Sequence, residues 1–68
     1  MDKTEIAYAR TFASASGAVV LEHLRKITIE RSLGPNASDS ELRSIEAQRA
    51  LVHKMEQLVQ RGRENAKT

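Results

Sequence analysis

The side chains best suited to chemistry in this sequence are two histidines, His23 and His53, because an imidazole can bind a metal ion or act as a general base. Neither has a second His, Asp or Glu four residues away, the spacing that places two ligands on one helix face. The nearest carboxylates are Glu22, beside His23, and Glu56, three residues after His53. We therefore expect both histidines to be surface residues and predict no metal site.

Other reactive groups also lack the surroundings that catalysis requires. The chain has no cysteine, which excludes disulfides, thiolate zinc sites and a cysteine nucleophile. No serine follows a strand in the sharp turn that presents a nucleophile. Gly17 and Gly34 are isolated, so no phosphate-binding loop is visible. We expect no catalytic residue and no cofactor, and therefore no enzyme.

The length and composition favour one small domain with a thin core. The chain has 68 residues and is 40% hydrophobic, but nine of its apolar residues are alanine. Such a core predicts that stability comes partly from a partner or from self-association. No apolar run is long enough for a signal peptide or a membrane span, which favours a protein that is neither secreted nor embedded in a membrane.

Hydrophobic periodicity predicts an all-α fold of three helices. The first spans about 2–13, and Ser14 is expected to cap the second, which spans about 15–32. Residues 26–30 alternate like a strand, but the chain offers no second strand for pairing. A glycine–proline pair is expected to end this helix, with Gly34 in the left-handed conformation.

The third helix has the strongest start signal, a capping box in which the Ser38 hydroxyl accepts a hydrogen bond from the Glu41 amide. It is expected to span about 39–61 and to stop at Gly62, leaving 63–68 as a tail that could be flexible. Because the preceding loop is short, the second and third helices should form an antiparallel hairpin. The first helix would pack on this hairpin, so that the whole chain makes a single three-helix bundle.

Three side chains can be interpreted either as core or as partner contacts. Tyr8 and Phe12, the only aromatic residues, lie one turn apart and either fill the core or anchor the first helix in a groove on a partner. Arg49 lies close to the apolar stripe of the third helix, where an interior arginine needs a carboxylate. The candidates for that carboxylate are Glu22, Glu30 and Glu46. A buried pair and an interface contact both remain open.

The charge pattern gives only weak support for nucleic-acid binding. Eleven basic and nine acidic residues leave a net charge of +2, and the only locally basic segment holds Arg61, Arg63 and Lys67. A helix-turn-helix reader is disfavoured, because the start of the third helix, from Asp39 to Glu41, is acidic and would repel phosphates.

A longer pattern carries a family resemblance. Phe12 is followed, after one residue, by Ser-Ala-Ser-Gly, then by Val-Leu-Glu-His-Leu at 20–24 and, beyond the proline loop, by Glu-Ala-Gln-Arg-Ala-Leu-Val at 46–52. The chain thereby resembles a family of very short phage and prophage proteins, first defined from a Bordetella phage and encoded among virion structural and assembly genes. The resemblance covers about 8–62, and family members often carry glycine where this chain has Ala47. It implies a location in the virion or the host cytoplasm and supplies no catalytic residue.

These observations favour a non-enzymatic virion component or assembly accessory of the head, portal or tail junction. It would act by binding phage structural proteins, by self-association, or by both, with candidate contacts at Tyr8, Phe12, Gln48 and Arg49. One alternative is a nucleic-acid-binding accessory of packaging or regulation that uses the basic residues near the end of the chain. A second alternative is a phage-encoded inhibitor of a host protein.

Overall fold

Three helices make up the fold: α1 (Lys3–Ala13), α2 (Ala15–Ile27) and α3 (Asp39–Ala66). The computed structural model describes residues 2–66, and no strand occurs among them. The all-α three-helix bundle predicted from the sequence is therefore confirmed, whereas two helix ends and the order of packing differ from expectation.

The boundary between α1 and α2 is fixed by local capping. Asp2 caps α1 by accepting a hydrogen bond from the Thr4 amide at 2.8 Å. Ser14 then leaves the helical conformation, with φ −70° and ψ 158°, and its hydroxyl accepts the Gly17 amide at 3.0 Å. The predicted break and cap at Ser14 are confirmed.

The second helix ends at Ile27, earlier than the predicted end near residue 32. The buried Thr28 leaves helical geometry, and its hydroxyl donates to the Leu24 carbonyl at 2.6 Å. β-Branched residues at 27–29 weaken helix propensity at this point. The prediction of a left-handed Gly34 is wrong, since no glycine of the described chain has positive φ; its carbonyl instead accepts the Ala37 amide at 3.1 Å in a separate turn.

The third helix starts as predicted but runs further. The Ser38 hydroxyl accepts the Glu41 amide at 3.2 Å, and the helix continues for 28 residues to Ala66. The prediction that Gly62 stops the helix is wrong, because this glycine is buried inside α3. A Cβ atom there would lie 2.2 Å from the Glu5 carbonyl oxygen and 2.6 Å from the Ala9 Cβ. Gly62 therefore allows α1 to approach α3 closely.

The main helix–helix interface joins α1 to the C-terminal half of α3, and the two run antiparallel. Asn65 donates to the Glu5 carboxylate at 3.2 Å at one end of this interface. The expected α2–α3 hairpin contributes less to the packing of the helices. The contact between α2 and α3 lies mainly near the C-terminal end of α2, where Arg25 forms an ion pair with Glu56. At its start α2 lies against α1, with Gly17 in close contact with the backbone of Thr11.

The resulting core is thin. Among the residues whose burial is described, the buried apolar ones are Ala9, Phe12, Ile45, Val52 and Val59. The three on α3 recur every seven residues and so form one line along that helix. The radius of gyration is 14.4 Å, compared with about 11 Å for a compact domain of 68 residues. The molecule is consequently elongated, at 48 × 23 × 13 Å.

The close approach at Gly62 can be tested by adding one methyl group. Alanine is favoured over glycine in a helix by about 1 kcal/mol, yet we expect Gly62→Ala to lower the free energy of unfolding by about 1–3 kcal/mol, because the added Cβ overlaps the α1 backbone. Urea unfolding at one fixed protein concentration, followed by circular dichroism, measures this change.

Gly34→Ala is the matched control. No atom lies within 4 Å of a Cβ built at Gly34, and its φ is not positive. We expect a gain of no more than about 1 kcal/mol there, from the smaller entropy of the unfolded chain. A Gly62→Ala protein that is as stable as Gly34→Ala would contradict the close helix crossing.

Candidate partner-binding surface

The two aromatic side chains lie on α1 where it crosses α3, with ring centroids 6.1 Å apart. Phe12 is buried in the core, whereas Tyr8, one turn earlier, is half-buried. The sequence left open whether these aromatic residues fill the core or contact a partner, and Phe12 fills the core. Tyr8 lies at the edge of the core, where a partner can reach it.

Tyr8 forms one wall of a shallow cavity of about 280 Å³ between α1 and α3. The cavity is lined mainly by apolar groups, from Ala7, Tyr8, Thr11, Phe12 and Met55. Leu51 lies one helical turn before Met55 and is 60% exposed, so it extends the same apolar surface along α3. We call this surface, formed by Ala7, Tyr8, Thr11, Leu51 and Met55, the Tyr8 groove.

The rim of the Tyr8 groove is positively charged. A second cavity, of about 560 Å³, lies further around α1. It shares Ala7 and Thr11 with the groove and is also lined by Lys3, Ile6 and Arg10. On α3, the exposed Lys54 lies one turn after Leu51. Within residues 2–66, no ion pair involves Lys3, Arg10 or Lys54. The groove therefore offers an apolar floor beside charges that favour carboxylates.

Arg49, another candidate contact, is bound within its own chain. Its Nε donates to the Thr28 carbonyl at 2.9 Å, and a terminal nitrogen donates to the Arg31 carbonyl. Its other terminal nitrogen binds Glu46 at 2.9 Å, so Glu46 supplies the carboxylate for which the sequence left three candidates. Because both carbonyls lie just beyond α2, Arg49 fastens the α2–α3 loop to α3.

The four candidate contacts do not form one surface. Gln48 donates to the Ser44 hydroxyl at 3.3 Å and lines a separate cavity of about 160 Å³ with Arg31 and Leu33 of the loop. Tyr8 and Phe12 come together, whereas Gln48 and Arg49 lie beside the α2–α3 loop.

Sequence reasoning missed the ion pair between Arg25, near the end of α2, and Glu56 in α3. The hydrogen bond to Glu56 and the charge of that carboxylate raise the pKa of Arg25 above its ordinary value. His53 Nδ1 lies 3.7 Å from the second Glu56 oxygen, and Glu30 lies 3.7 Å from Arg25. Arg25 and Glu56 are far apart in the sequence, so no local spacing of residues predicts their ion pair.

A family model described as Bbp19-like phage protein matches residues 8–64. The chain belongs to the Bbp19-like phage protein family. The matched range includes most of α1, all of α2 and nearly all of α3, and it confirms the resemblance to short phage proteins. Comparisons with curated proteins and with solved structures find no match.

The basic residues of this Bbp19-like chain do not make a continuous nucleic-acid-binding stripe in the part described. Arg61 lies 3.8 Å from Glu5 and so bridges α3 to α1, while Arg63 is exposed. Lys67, the third predicted residue, lies outside the described residues.

Neither histidine belongs to a cluster of three or more potential metal ligands within residues 2–66. His23 is exposed on α2, and His53 is exposed on α3. None of the described helices combines the length and hydropathy needed to cross a membrane.

The structural role of Arg49 predicts a loss of stability on removal of its charge. We expect Arg49→Met to lower the free energy of unfolding by about 2 kcal/mol, because the part-buried carbonyl of Thr28 loses a charged donor. Arg43→Met is the matched control, since this exposed arginine of the same helix forms no ion pair among residues 2–66. The control should change stability by less than about 0.5 kcal/mol. Equal losses in urea unfolding would contradict the loop-fastening role.

Proposed function

We propose that this chain is a non-enzymatic component or assembly accessory of a phage particle, at the head, portal or tail junction. It acts by binding another particle protein through the Tyr8 groove. The observation that supports this function best is the apolar groove left open between α1 and α3, in a chain whose described part has only five buried apolar residues. Membership of the Bbp19-like family supports the phage setting.

The groove is suited to a particular kind of partner. Its small residues Ala7 and Thr11 allow a helix to approach α1 closely, and Tyr8, Met55 and Leu51 can take apolar side chains from it. The cations Lys3, Arg10 and Lys54 favour acidic residues beside that apolar stripe. We therefore expect the partner to contribute an amphipathic helix with carboxylates along its edges.

The proposal can be tested in phage particles. A phage lacking this gene is complemented with the natural chain or with Leu51→Lys, and purified particles and assembly intermediates are analysed by quantitative mass spectrometry. We expect the variant to lose at least about tenfold in incorporation, because it buries a charge in the contact and adds like charge to a basic rim. Since Leu51 is 60% exposed, the substitution should leave the fold intact.

Ala50→Lys is the matched control, because it adds the same charge to the neighbouring exposed position on the outer side of α3. This control should be incorporated like the natural chain. Absence of the natural chain from both particles and intermediates would contradict the structural role. Retention of duplex DNA at physiological salt that Arg61→Glu with Arg63→Glu abolishes would favour the nucleic-acid alternative instead.

A further inference from the structure

The segment from α2 to the start of α3 contributes no buried apolar side chain to the described part of the molecule. The buried apolar residues all belong to α1 or α3: Ala9, Phe12, Ile45, Val52 and Val59. Within residues 15–38 the one buried residue is Thr28, whose hydroxyl donates to the Leu24 carbonyl of the same segment. We call this segment, residues 15–38, the α2 strap.

The α2 strap is held near its two ends. At its start, Ser14 is the one residue between α1 and α2, and its backbone is extended. Further along, Arg25 of the strap forms an ion pair with Glu56 of α3, and Arg49 of α3 donates to two carbonyl groups of the strap. We call these two arginine contacts the clasp. Because polar contacts rather than a packed interior keep the strap closed, it belongs to the least stable part of the fold.

The α2 strap covers Ile45, which is 3% exposed. The end of α1 reaches only as far as Met55, which lines one cavity with Phe12. Ile45 lies ten residues before Met55, or about 15 Å along α3. The residues of the strap that line the cavity beside Ile45 are Arg31 and Leu33. Burial of Ile45 therefore depends on the strap and not on α1.

We propose that the α2 strap opens from α3 as one unit, turning at Ser14 and releasing the clasp, while the α1–α3 crossing stays intact. Opening uncovers Ile45 beside Leu42, which lies three residues earlier on α3 and is already 45% exposed. The open chain thereby presents an apolar face on the first half of α3 that the closed chain does not offer.

The clasp makes this opening sensitive to ionic strength. The side chains of Arg25 and Glu56 are 37% and 26% exposed, so dissolved ions reach the pair and weaken it. The α1–α3 crossing depends instead on the close approach at Gly62, which salt does not screen. Salt therefore favours the open strap over the closed one without separating α1 from α3.

Thiol labelling of the full chain tests the opening, because the natural chain has no cysteine. Ile45→Cys and Val59→Cys each place one thiol at a buried position of α3, the first under the strap and the second beside the α1–α3 crossing. We expect N-ethylmaleimide to label Ile45→Cys at least about tenfold faster than Val59→Cys, because the strap opens more often than the crossing breaks. Circular dichroism establishes that each variant keeps the helix content of the natural chain.

Gly62→Ala separates the two movements. The crossing that it weakens is present whether the strap is closed or open, so the labelling rate of Ile45→Cys should stay within about twofold. The rate of Val59→Cys should rise at least about fivefold, because breaking the crossing becomes easier. In the chain without cysteine, amide exchange within residues 15–27 should likewise stay within about twofold after Gly62→Ala, which provides a second readout.

The clasp is tested by Glu56→Gln. At about 50 mM NaCl this change should raise the labelling rate of Ile45→Cys at least about threefold, because Arg25 loses its charged partner. Glu64→Gln is the matched control, since it removes an exposed carboxylate of the same helix, and it should leave the rate within about twofold. Raising NaCl to about 500 mM should increase the rate when Glu56 is present, and Glu56→Gln should remove most of that increase.

Equal labelling of Ile45→Cys and Val59→Cys overturns the inference, because only unfolding of the whole chain would then expose either position. A rise at both positions after Gly62→Ala overturns it as well. An unchanged rate at Ile45→Cys after Glu56→Gln overturns the role of the clasp. None of these results depends on the Tyr8 groove, so either proposal can fail while the other survives.

Discussion

The structure depends on the close packing of α1 against the C-terminal half of α3. Gly62 makes this possible, because any side chain there would meet the backbone of Glu5 and the methyl group of Ala9. The short distance lets Phe12 reach the core, and it brings Glu5 within range of Arg61 and of Asn65. A chain with so few large apolar residues gains its stability at one tight crossing rather than through a broad interior.

Concentrating the core at one crossing leaves apolar surface elsewhere. On one side of α3 the Tyr8 groove remains open. On the other side, α2 is held by the contact of its first turn with α1, by the ion pair of Arg25, and by the loop that Arg49 binds. The rim of the Tyr8 groove is basic, because Lys3, Arg10 and Lys54 lie beside it. In the proposal made above, these charges favour an acidic partner.

Local interactions in this fold could be predicted from the sequence, and tertiary ones could not. The caps at Ser14 and Ser38 each depend on one hydroxyl and one amide three residues later, so residue type and spacing were sufficient. Gly62 was misinterpreted because glycine both ends helices and permits close packing, and only the position of α1 decides between them. The helix α2 ends before the predicted residue, because the β-branched residues at 27–29 weaken it ahead of the glycine–proline pair.

The candidate site was predicted to a similar extent. The aromatic pair was found, but its division between core and surface depends on how α1 rotates against α3. Glu46 was among the three candidate partners of Arg49, while its two carbonyl partners carry no sequence signal, since every residue has a carbonyl group. The link from Arg25 to Glu56 likewise depends on how α2 returns to α3.

Amide hydrogen exchange tests most directly whether the α1–α3 crossing holds the fold while α2 adds little to its stability. In dilute solution, amides of Ala15–Ile27 should exchange much faster than those around Val52 and Val59. Equal protection of α2 and α3 in the dilute monomer would contradict this division of stability.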